Sequence, residues 1–163
     1  MDSRRAATRA ALAAVAGLAV LAPIASAALI IGTNGPDRLI GTDAADQIDA
    51  KAGNDQVRAL GGDDRVYGRA GADALGGGAG DDALWGNRGN DVLSGGRGAD
   101  RLLGARGRDT LLAGPGNDVA RGGPGRDIAR GGPGDDRLHG GSGPDALAGG
   151  SGSDLLRGGA GPE

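Results

Sequence analysis

The stretch GGPGRDIARGGPGDDRLHGG, residues 122–141, states one nine-residue phrase twice and begins it a third time, with Asp127 and Asp136 one period apart. Glycine this dense suits a flexible linker, because an ordered glycine gives up more backbone entropy than any other residue. A linker, however, needs no register, and this segment keeps one.

Working outward, the register runs from Gly32 to the end of the chain without an insertion or deletion. Fourteen complete units, from GTNGPDRLI (32–40) to GGSGSDLLR (149–157), precede a partial GGAGPE. The sixth position is aspartate in every complete unit, and only six of the chain's twenty aspartates lie elsewhere. Position one is glycine or alanine, and position four is glycine except at Ala44. Position eight is Leu, Ile or Val in twelve units; Val119 and Ile128 come one place early, with Ala120 and Ala129 in the eighth place. Each unit therefore reads as a six-residue loop of small residues ending in a carboxylate, then a three-residue strand with one inward apolar side chain. Stacked, such units bury the eighth position as a ladder, which predicts an all-β solenoid. Units ten and eleven are expected either to twist or to carry a thinner core.

Composition rules out an ordinary packed domain. The 163 residues include 37 glycines, one tyrosine (Tyr67), one tryptophan (Trp85) and no phenylalanine, so the large side chains that fill a core are mostly missing. Cysteine is absent, which removes disulfides and thiolate metal sites. Residues 1–27 read MDSRRAATRAALAAVAGLAVLAPIASA: arginines, an apolar run from Ala10 to Ala22, then Ala25-Ser26-Ala27. This is the layout of a secretory signal peptide with cleavage after Ala27, and the run is too short for a comfortable membrane span. The expected division is a signal over 1–27, a lead-in over 28–31 and the repeat domain over 32–163. Removing the signal moves the net charge from −3 to −5.

The aspartates carry the chemistry. Strands about 4.8 Å apart would stack the carboxylates into columns of like charge, each neighbouring pair repelling by roughly 1 kcal/mol even in water. The same column is a set of hard-oxygen ligands. Calcium takes six to eight oxygens and accepts carboxylates and main-chain carbonyls readily, whereas magnesium demands tighter geometry. Zinc lacks its thiolates and imidazoles, since His139 is the single histidine.

The units resemble the GGxGxDxUx nonapeptide of the RTX, or haemolysin-type, calcium-binding repeat family, over residues 32–163. The resemblance implies a parallel β-roll, a right-handed β-solenoid of about 14 nonapeptide half-turns, with two units per turn and calcium between loops stacked on one side. On that reading one column joins Asp55, Asp73, Asp91, Asp109, Asp127 and Asp145, and the other Asp64, Asp82, Asp100, Asp118, Asp136 and Asp154. Asp37 and Asp46 extend the two columns but fall outside the candidate ligands. Units one to five lack glycine at position two, carrying Thr33, Thr42, Lys51, Leu60 and Arg69, so calcium is least expected there. Asn87, Ala105 and Ala113 are lesser departures.

The function expected is a secreted or surface-associated calcium-binding protein without catalysis, folding on calcium outside the cytoplasm, with an adhesion or matrix partner. The alternative is a detached repeat module of a hydrolase or toxin whose catalytic domain lies elsewhere. A triad built on His139 with Ser142, Ser151 or Ser153 would be accidental, and no phosphate-binding loop is present. Arg-Gly-Gly triplets at 121, 130 and 157 suggest nucleic acid only weakly in an acidic chain poor in stacking aromatics, and no membrane span is expected after signal cleavage. Tyr67 and Trp85 fall at outward ninth positions, where lone exposed aromatics need no explanation.

Overall fold

The computed structural model describes residues 11–13 and 26–161. Apart from Ala11–Ala13 and its last two residues, the segment read as a signal peptide lies outside the described residues. Sixteen strands and no helix make up the described chain, so no helix there is long and apolar enough to cross a membrane.

The strands form two parallel sheets through which the chain alternates. One holds β1 (Ala11–Ala13), β2 (Leu29–Ile31), β4 (Gln47–Asp49), β6 (Arg65–Ala70), β8 (Ala83–Arg88), β10 (Arg101–Arg106), β12 (Val119–Pro124), β14 (Arg137–Ser142) and β16 (Leu155–Ala160), in that order. The other runs from β3 (Arg38–Ile40) through β5 (Gln56–Gly61), β7 (Ala74–Ala79), β9 (Val92–Arg97), β11 (Thr110–Leu112) and β13 (Ile128–Pro133) to β15 (Ala146–Ser151). From β2 onward, paired residues are eighteen apart, as in Leu84↔Leu102 and Leu75↔Leu93. Two nonapeptides thus make one turn of a β-solenoid about seven turns long.

The eighth position forms the core in both sheets. Leu39, Val57, Leu75, Leu93 and Leu111 stack in one, and Ile48, Val66, Leu84, Leu102 and Leu138 in the other, all buried. Ala120 and Ala129 occupy the same places, fully buried, while Ile128 is exposed. Units ten and eleven therefore keep the register and carry the thinner core. The lead-in also joins the roll: β2 supplies Ile30 to the same column.

Most strands are six residues long, twice the length read from the repeat. They continue through positions one to three of the next unit because position one also faces inward, as its fully buried Ala50, Ala59 and Ala113 show. The inward set is thus the sixth, eighth and first positions: carboxylate, aliphatic, glycine, by the two-residue alternation of a strand.

Candidate metal centre

Because the sixth position faces inward just before each strand, the aspartates stack along the two edges of the roll where one sheet passes into the other. Asp37 to Asp136 are all buried in steps of nine, and Asp145 and Asp154 half-buried. From Asp37 to Asp136, each backbone N–H donates to Oδ1 of the aspartate one turn later. Along one edge Asp55 donates to Asp73 at 2.9 Å, Asp91 to Asp109 at 2.9 Å and Asp109 to Asp127 at 2.8 Å. Along the other, Asp64 donates to Asp82 at 2.9 Å, Asp100 to Asp118 at 2.7 Å and Asp136 to Asp154 at 3.0 Å.

The second oxygen has no such partner. Oδ2 of eleven aspartates, Asp55 to Asp145 in steps of nine, is buried without a hydrogen bond. An orphaned buried acceptor costs on the order of 1–3 kcal/mol, and more when charged. Burial accordingly pushes the Asp64 carboxyl up to about 7, and those of Asp55, Asp82, Asp100, Asp109 and Asp118 up to about 6, from an ordinary 3.8. The backbone N–H each accepts pulls the other way, and neighbouring carboxylates add to the rise. Asp73, Asp91 and Asp127 are raised by the same burial. A nearby cation reverses this balance by favouring the charged form.

Glycine at position one brings main-chain oxygen to the same place. A Cβ at Gly95 would lie 2.6 Å from the carbonyl oxygen of Ala113 and closer still to Oδ2 of Asp100; one at Gly140 would lie 2.6 Å from the carbonyl of Gly158 and closer to Oδ2 of Asp145. Without the side chain, a carboxylate oxygen and a carbonyl oxygen border the same small space. Among the described residues no three acidic or imidazole side chains converge on a point, so an ion held here must draw on such carbonyls. That mixed donor set suits calcium.

The first two units differ. Thr33 N–H donates to Oδ2 of Asp37 at 2.6 Å and its hydroxyl at 3.0 Å; Thr42 N–H donates to Oδ2 of Asp46 at 2.6 Å and its hydroxyl at 3.1 Å. The chain itself supplies what the later units leave open. From unit three onward position two takes a positive φ, and Lys51 (74°), Leu60 (85°), Arg69 (79°), Asn87 (77°) and Ala105 (78°) adopt it despite their side chains. Glycine at position two is therefore not the divide: the boundary falls between Thr42 and Lys51, and Asp55, Asp64 and Asp73 carry the same orphaned oxygen as Asp127.

Tyr67 and Trp85 are not lone aromatics. The eighteen-residue register pairs them, with ring centroids 4.6 Å apart and planes within 10°. The Arg69 guanidinium lies 5.0 Å from the Tyr67 ring centroid and donates two hydrogen bonds to Asp49, at 3.0 and 2.8 Å. Their shared ninth position in alternate units was the available signal.

The sequence model of the RTX calcium-binding nonapeptide repeat matches residues 29–57, 40–75, 50–84, 76–111, 112–147 and 139–161. The chain belongs to this family. A search of curated proteins gives no match. RTX nonapeptides bind calcium ions, and the orphaned Oδ2 atoms of this RTX roll are oxygen donors of the kind that calcium requires.

Proposed function

We propose that this RTX chain is an exported, non-catalytic calcium-binding protein whose roll forms when calcium occupies the two aspartate columns. The ligands are Asp55, Asp73, Asp91, Asp109, Asp127 and Asp145 on one edge, and Asp64, Asp82, Asp100, Asp118, Asp136 and Asp154 on the other. Bound calcium would supply the positive charge that lets these buried carboxylates remain ionised. The observation that carries this reading is the run of eleven buried Oδ2 atoms without a partner. Since a roll with its carboxylates ionised and unpaired is penalised, binding free energy becomes folding free energy.

Export is supported by the layout of residues 1–27. The backbone nitrogen of Ala28 donates to Oδ1 of Asp46 at 2.6 Å. Cleavage after Ala27 would make that nitrogen the new α-ammonium, a cation against the first carboxylate of its column. The role outside the cell is adhesion or matrix contact.

The test is far-UV circular dichroism of residues 28–163 titrated with calcium, with magnesium as control. A cooperative gain of β signal with calcium alone is expected. A chain equally folded in chelator, or unfolded at every calcium concentration, would overturn the reading.

A further inference from the structure

The net charge of this chain is misleading about its surface. Fourteen aspartates point into the roll, and outside those columns residues 28–161 carry fifteen Lys and Arg, all exposed, against five Asp. The acidity is inside and the basicity outside.

The outer charge is also sorted. Along the edge formed by the odd-numbered units, the second, third and fifth positions carry Lys51, Arg69, Arg88, Arg106, Arg108 and Arg126 and no acid. The same positions on the opposite edge carry Asp43, Asp63, Asp81 and Asp135 with a single arginine, Arg97. The strands of the larger sheet run into the basic edge, and their outer face continues it. Arg101 opens β10, Arg121 is third in β12, Arg137 opens β14 and Arg157 is third in β16. The register sets each diagonally from the last, since Leu103 pairs with Arg121, Val119 with Arg137 and His139 with Arg157. The result is a zigzag of guanidinium groups that advances one strand, about 4.8 Å, per arginine along the solenoid axis. Arg121, Arg137, His139 and Arg157 line a depression of about 400 Å³ on this face. From β6 to β16 no acidic residue interrupts the face; Asp49, on β4, is held by Arg69.

We infer that this face and edge bind an extended acidic polysaccharide lying along the solenoid axis, a partner that gives content to the adhesion role proposed above and rests on it. The zigzag crosses four strands, roughly 14 Å, and is two side-chain columns wide, which suits a single linear chain better than a planar bilayer. Arginine pairs its planar fork with carboxylate or sulfate in two parallel hydrogen bonds. A zigzag matches a polymer whose acidic groups project alternately to its two sides, as in an extended chain of uronic acids. The surface exists only when the roll is formed, so attachment is gated by calcium.

The test uses the full chain in calcium, with the β signal verified, and measures binding to heparin and to hyaluronan, with dextran as the neutral control and duplex DNA and anionic phosphatidylglycerol vesicles as competing partners. Arg101→Glu/Arg137→Glu and Arg121→Glu/Arg157→Glu should weaken polysaccharide binding about tenfold or more, the loss expected of charge-assisted hydrogen bonds. Arg38→Glu/Arg58→Glu on the other sheet makes the same charge change and should stay within about twofold, and all three should keep the wild-type calcium midpoint for folding. Chelator should abolish binding. Equal losses in all three variants, a folded roll that ignores both polysaccharides, or tighter binding to DNA or vesicles would overturn the inference. A chain that never folds on calcium would instead overturn the metal reading, and the surface with it.

Discussion

At the scale of single residues, what separates an open carboxylate oxygen from a satisfied one is a threonine. Asp46 and Asp127 occupy the same place in their units, yet Thr42 supplies two donors to Oδ2 of Asp46 and Gly123, at the same position, supplies no side chain to Oδ2 of Asp127. Asp→Asn keeps the Oδ1 acceptor for the preceding turn and removes the charge. Asp127→Asn is therefore expected to lower the calcium bound by the folded roll, whereas Asp46→Asn, whose new NH2 would face donors from Thr42 or Ala28, destabilises the roll but leaves the calcium bound at saturation unchanged; equal losses of bound calcium in equilibrium dialysis would refute the distinction. The aspartate period was legible from the sequence. The single repeat in which donors give way to an open oxygen, between Asp46 and Asp55, was not, because it depends on where a threonine N–H points once the loop is closed.

At the scale of the element, the repeated loop imposes a left-handed residue at position two, and five units meet it without glycine. An L-residue there costs on the order of 1–2 kcal/mol. Leu60, at φ 85° and 42 % exposed, gains little burial in return. Leu60→Gly is expected to stabilise the calcium-loaded roll by about 1 kcal/mol, less the entropy the new glycine loses on folding; a lower melting temperature would show that the side chain contributes contacts worth more than the strain. The strands were read at half their true length. The repeat marks the aliphatic eighth position plainly, but the inward role of position one is invisible in the sequence, where a glycine in a strand and a glycine in a loop look alike.

At the scale of the whole molecule, the two buried columns tie folding to pH. The carboxyls of Asp55, Asp64, Asp82, Asp100, Asp109 and Asp118 sit at about 6 to 7 in the roll against an ordinary 3.8, chiefly through burial. With folded values raised, the metal-free roll binds more protons than the unfolded chain. Its stability is then greatest below about pH 4 and is lost as pH rises through the folded values. The metal-free protein should gain β signal on acidification from about pH 7.5 to 4.5, while calcium binding weakens over the same range as protons compete for the same oxygens. A metal-free signal flat across that range would contradict the burial of the carboxylates.

The sequence by itself determined the aspartate period and the all-β solenoid, because a strict period transmits directly into a strict stacking; calcium and the two units per turn came with the family resemblance. Tertiary structure alone decided three things. It separated the threonine-satisfied Asp37 and Asp46 from the open oxygens that follow, joined Tyr67 to Trp85, and gathered most of the arginines onto one face and edge of an acidic chain. Each depends on which side of a closed turn a group lies, and a linear text with a nine-residue period does not show that its odd and even units face opposite ways.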